Sequence, residues 1–158
     1  LGRSPVETGF LLTPWPVLVG IMGPISGRLS DRYPSGLIAG IGLLVLCAGM
    51  LALLWMPDAP GTIDIAWRMA VCGAGFGLFQ APNMKAIMGS APRERAGGAS
   101  GIVATARLTG QASGAALVAG CLVLSEHHGT SYALAAAAAI ALLGAAISFA
   151  RLHRRMRG

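Results

Sequence analysis

Five apolar stretches, each long enough to cross a bilayer, alternate with short turns rich in charge, proline or glycine. They run over about 8–27, 36–56, 65–88, 98–124 and 131–150. A helix rises about 1.5 Å per residue, so some 20 apolar residues cross a hydrocarbon core of ~30 Å. The second stretch is uncharged and rich in leucine. The first contains Pro14, Pro16 and Pro24, a density that membrane helices tolerate better than soluble ones. The third has an uncharged centre from Met69 to Met84, bounded by Arg68 and Lys85, whose charges can snorkel from the helix ends. The pattern predicts an all-α integral membrane protein.

Composition supports lipid as the solvent. Of the 158 residues, 54% are hydrophobic and 11% charged, against about 25% charged in soluble domains. The net charge is +6, but the arginines lie in gaps between apolar runs and are not interleaved with aromatics on one face. Nucleic acid is therefore not an expected partner. Cys47, Cys72 and Cys121 sit in three different spans without metal-ligand spacing and read as small packing residues. No metal or cofactor is expected.

The basic residues fall on one side of the spans. Arg28 and Arg32 follow the first, Lys85, Arg93 and Arg95 close the third, and Arg151, Arg154, Arg155 and Arg157 end the fifth in a basic tail, 151–158. The turns after the second and fourth spans carry Asp58, Asp64 and Glu126 without Lys or Arg. The positive-inside rule puts the basic turns and the C-terminus in the cytoplasm and the N-terminus of this segment outside, in a bacterial-type inner membrane. Arg3 and Arg68 are the charges that run against this bias. Glycine pairs four residues apart, Gly23/Gly27, Gly36/Gly40, Gly73/Gly77 and Gly110/Gly114, offer close helix crossings.

The segment Gly27-Arg28-Leu29-Ser30-Asp31-Arg32, between the first two spans, resembles the G-x-x-x-D-R-x-G-R-R loop of the major facilitator superfamily; Tyr33, Pro34, Ser35 and Gly36 replace its end. Here Gly27 is expected to let two helices cross tightly, and Asp31 and Arg32 to brace the ends of neighbouring helices. Arg68-x-x-x-x-Gly73-x-Gly75-x-Gly77 looks like the glycine-rich fourth span of a superfamily half. The stretch 96–101 followed by 105–114, and the run from Ser4 to Pro14, are similar to EmrB/QacA-type fourteen-helix drug:proton antiporters. The resemblance covers essentially the whole chain and implies a partial C-terminal bundle, the last five spans of a secondary transporter. Its N-terminal half and one further helix would lie outside this sequence, which starts at Leu1. The implied activity is multidrug efflux by proton antiport, with amphipathic drugs and protons as partners in the full-length protein. The alternatives are a facilitator for a sugar or metabolite and a non-transporting helical scaffold or remnant.

Candidate chemistry is sparse. All six acids lie at turns or span ends, whereas a proton carrier needs a titratable group within the membrane; the proton site would belong to the remainder of the transporter. No arrangement suggests an enzyme. Arg107 precedes an uncharged run, Leu108–Leu124, of roughly 25 Å. It is either a snorkelling structural residue or, with Gln111, part of a cavity or gate. Gln80, Pro82 and Asn83 are either a simple kink or a broken stretch on a substrate path. Arg68 is a further gate candidate, and Trp15, Phe76 and Phe79 are either packing aromatics or cavity lining.

Overall fold

The structure, a computed structural model, describes residues 5–57, 60–125 and 128–157; Arg3, Asp58, Glu126 and His127 lie outside them. Described residues are almost entirely helical: α1 (Pro5–Leu12), α2 (Pro14–Arg32), α3 (Ser35–Leu54), α4 (Thr62–Ser90), α5 (Ala96–Leu124) and α6 (Gly129–Arg157), with a 3-10 turn at Arg93–Arg95. Five of the segments are long and apolar enough to cross a membrane, α1 and α2 together supplying the first. The chain is an all-α membrane protein.

Proline sets where several helices stop. A residue before proline is pushed out of the α region. Tyr33, before Pro34, has φ −123° and ψ 152° and ends α2; Ala91, before Pro92, has φ −90° and ψ 137° and ends α4. At Thr13 the first span divides into α1 and α2, where Pro14 and Pro16 remove two donors. Thr13 nevertheless keeps helical angles, φ −57° and ψ −37°, and its hydroxyl donates to the Gly9 carbonyl at 2.9 Å. Pro24 and Pro82 sit inside α2 and α4 without ending them. The basic residues at 151–157 continue α6, which runs to Arg157.

The helices stand side by side in the order α2, α4, α3, α6, α5. Helix α4 packs between α2 and α3, and α3 between α4 and α6. Leu43, Leu46, Cys72 and Ala145 form the buried core where α3, α4 and α6 meet, and Cys47, Ala138 and Ala141 a second cluster between α3 and α6.

Glycine makes these contacts close. A Cβ on Gly42 would stand 2.6 Å from the Phe79 nitrogen, and one on Gly75 would collide with the Leu46 backbone and come within 2.8 Å of the Gly42 carbonyl oxygen. On the other face of α4, a Cβ on Gly73 would lie 2.5 Å from the Trp15 carbonyl oxygen, and one on Gly77 2.8 Å from Met22 Cβ. Of the four glycine pairs, Gly36/Gly40 packs on α6 and Gly73/Gly77 on α2. Gly23/Gly27 and Gly110/Gly114 face open space among the described residues. Among the described residues no helix comes close to Gly27, and the close approach of α2 to α4 is made at Gly73 and Gly77 of α4.

Two hydroxyls add to the small-residue contacts. Ser26, fully buried on α2, donates to the Gly77 carbonyl at 3.0 Å. Ser148 on α6 donates to the Gly36 carbonyl of α3 at 2.8 Å. In hydrocarbon such bonds contribute about 0.6 kcal/mol on average, and their value lies as much in fixing rotation.

Helix α5 differs from the rest. None of its residues is buried, and its main neighbour is α6.

Substituting Gly75 by Ala forces α3 and α4 apart and destabilises the bundle in detergent by about 1–3 kcal/mol, the usual cost of overpacking. Gly20→Ala, with nothing within 4 Å of the added carbon, is neutral or slightly stabilising because alanine is the better helix former. Thermal unfolding followed by circular dichroism checks both; equal midpoints for the two variants contradict the packing described.

Candidate functional site

The motif residues lie at the end of the bundle where α2, α4 and α6 finish and α3 begins. Asp31, in the last turn of α2, forms an ion pair with Lys85 of α4. The Lys85 ammonium also donates to the Ser30 carbonyl at 3.3 Å. The pair links the ends of α2 and α4, and its cation is the residue that sequence alone left as a snorkelling one. Arg32 is exposed and forms no ion pair among the described residues; the bracing expected of it is not seen there. Both members of the Asp31–Lys85 pair are at least half exposed. Such pairs are worth about 0–1 kcal/mol, so this one adjusts the ends of helices already packed by other contacts.

Arg68 lies near the other end of α4, and only 9% of its surface is exposed. Snorkelling is therefore the wrong description. Its Nη1 donates to the Asp64 carbonyl at 2.9 Å and to Asp64 Oδ1 at 3.0 Å, one turn back on the same helix. Its guanidinium carbon stands 4.7 Å from the centre of the Trp67 ring, a cation–π distance. The Nε is buried and makes no hydrogen bond. The charge is thus held within one helix, by a carboxylate and an aromatic face, and not by a second helix.

Between these ends, α4 carries Gln80, Pro82 and Asn83. The helix passes through Pro82 without a break, and Pro82 is among the most deeply buried side chains, so the segment is a helical stretch packed by its neighbours and not an unwound one. Asn83 and Lys85 line a cleft of about 790 Å³ at the basic end. Arg107 and Gln111 are exposed on α5, one turn apart on one face, and the structure does not bring them to the α4 residues.

The aromatics are mainly packing groups. Trp15 and Phe76 stack with ring centroids 5.7 Å apart, and both, with Phe79, pack on the core around Leu46 and Cys72. Trp15 also borders a smaller pocket of about 430 Å³ with Leu12, Thr13 and Met69; Phe76 and Phe79 line neither space.

Sequence reading missed Ser26, Ser148 and the role of Lys85. A serine within an apolar span, three residues from a glycine, is the signal that marks Ser26. Lys85 carries no such signal, because its pairing depends on how α4 lies against α2, 54 residues away in the chain.

Comparison with known proteins fits this architecture. The family model of the Major Facilitator Superfamily matches residues 1–157. YebQ of Escherichia coli K12, described as an uncharacterized transporter, is 52% identical over 152 residues, covering 96% of this chain and 33% of that protein. The multidrug resistance protein Stp of Mycobacterium tuberculosis is 31% identical over 77% of this chain and 22% of its own length. The riboflavin transporter RibZ of Clostridioides difficile is 29% identical over 66% of this chain and 23% of its own length. No solved structure matches the chain. The chain spans between 22% and 33% of these curated relatives. With a family match over nearly every residue and five membrane-spanning helices packed through small residues, the chain belongs to the Major Facilitator Superfamily of membrane transporters.

Proposed function

We propose that this chain is part of the C-terminal bundle of a secondary transporter that exports amphipathic drugs by alternating access, with proton entry as the driving force. The observation that carries the reading is the Asp31–Lys85 pair. It joins α2 to α4 at one end of the bundle through an exposed bond worth about 0–1 kcal/mol. A contact that weak can open and close at little cost as helix ends separate, which suits a carrier that rocks between two states. Stp, named for multidrug resistance, supports the drug class.

Protons would titrate an acid elsewhere in the full-length protein, since all six acids of this chain lie at turns or span ends. Arg107 and Gln111 on the exposed α5, and Arg68, Gln80 and Asn83 along α4, are the polar groups this chain offers to a substrate path or gate. The positive bias supports a cytoplasmic position for the Asp31 end, in a bacterial-type inner membrane. A second reading, a carrier for a flat metabolite, is favoured by the relative named a riboflavin transporter.

Orientation is checked by single cysteines in a background free of Cys47, Cys72 and Cys121. Gly61→Cys labels with an impermeant maleimide on intact spheroplasts and Glu94→Cys only after permeabilisation; the opposite pattern reverses the topology.

Function is checked in cells lacking their own drug pumps that express the full-length protein. Efflux of a cationic dye stops with an uncoupler, and Asp31→Asn and Lys85→Gln each slow it several-fold at matched expression, the double variant no further. Riboflavin transport with no dye efflux selects the second reading. Unchanged efflux in both single variants removes the pair from the mechanism.

A further inference from the structure

We infer that the cleft at the basic end of the bundle is a binding site for the headgroup of an anionic phospholipid. The cleft holds about 790 Å³ between the C-terminal parts of α2, α4 and α6 and the N-terminal part of α3. Two cations line it, Lys85 and Arg151. Lys85 has three donors and spends two on Asp31 and the Ser30 carbonyl, leaving one for a phosphate oxygen. Arg151 is exposed and forms no ion pair among the described residues, so its planar fork is free for bidentate recognition of phosphate.

The hydroxyl of Ser35 and the backbone at the start of α3 border the same space, where helix N–H groups have no partner within the helix. Among the described residues no acid lines it; Asp31 pairs with Lys85, so the uncompensated positive charge at the cleft is that of Arg151.

The location selects a lipid over a free anion. The cleft opens where membrane-spanning helices end, the level of headgroups. Its walls are not uniformly polar: Ala39, Pro82, Ile87 and Leu152 stand beside the cations, and suit a glycerol backbone and the first acyl carbons. Basic pockets between spanning helices recognise such headgroups. Lys85 also links the cleft to the rest of the bundle. A phosphate held there would share the cation that binds Asp31, so lipid occupancy and the α2–α4 contact would be coupled.

The test is native mass spectrometry of the full-length protein in non-ionic detergent, titrated with phosphatidylglycerol and, separately, phosphatidylcholine. Phosphatidylglycerol binds more tightly. Arg151→Gln weakens it about fivefold, the effect of one cation near a charged surface, and Arg151→Lys largely restores it. Arg95→Gln, an exposed cation at the same end outside the cleft, leaves it unchanged. Equal binding of the two lipids, no effect of Arg151→Gln, or an equal loss with Arg95→Gln overturns the site. Displacement of the lipid by millimolar inorganic phosphate makes it a free-anion site and overturns the lipid assignment. The membrane level of the cleft rests on the spanning helices and its leaflet on the proposed orientation; binding is read without transport, so a failed efflux assay and a failed lipid titration are separate results.

Discussion

The backbone-to-backbone contact of α4 with its two neighbours is the constraint on which the other features rest. Gly75 meets Gly42 and Leu46 of α3 on one face, while Gly73 and Gly77 meet Trp15 and Met22 on the other. Lipid offers no hydrophobic drive for helices to associate, so close packing of small residues must supply the attraction. Once those surfaces are seated, the finer contacts follow. Ser26 reaches the Gly77 carbonyl, Trp15 stacks on Phe76, and Asp31 comes within reach of Lys85. Each depends on a rotation and height of α4 that the glycines permit.

Helix α5 shows the same physics in reverse. It too has a glycine pair, Gly110 and Gly114, yet nothing stands within 4 Å of either. It also carries Arg107, Gln111 and several hydroxyl side chains on a helix without a buried residue. Small residues are an invitation to pack only where a partner is present, and among the described residues α5 has α6 for its main neighbour.

Much of the fold was legible in the sequence because the signals are those that lipid enforces. Long uncharged runs must be helices, and prolines at Pro34 and Pro92 must end them. What could not be read was the rotation of each helix about its axis. In water an apolar face points inward, but in lipid both faces are apolar, and the pattern no longer says which is buried. The pattern therefore did not say that the α2–α4 approach falls at Gly73 and Gly77, and Lys85 looked like a solitary snorkelling cation. Arg68 misled for a related reason: near a helix end a charge is expected to reach water, but Asp64 one turn away and the Trp67 ring gave it partners in place. The Asp31–Lys85 contact was not legible, because its two members lie on different helices whose relative rotation the pattern does not give.

The close approach of α3 and α4 can be measured through a native thiol. A Cβ on Gly49 would lie 2.5 Å from Cys72 Sγ and 3.2 Å from Cys72 Cα, closer than a disulfide requires, so a cysteine there reaches Cys72 once the two helices part slightly. With Cys47 and Cys121 replaced by serine, Gly49→Cys should form an intramolecular disulfide with Cys72 under mild oxidation in native membranes, seen as the linked peptide by mass spectrometry. Leu44→Cys, on an exposed part of α3, should not. Cross-linking from Leu44 and none from Gly49 would mean that α3 presents a different face to α4, and the glycine seam described would be wrong.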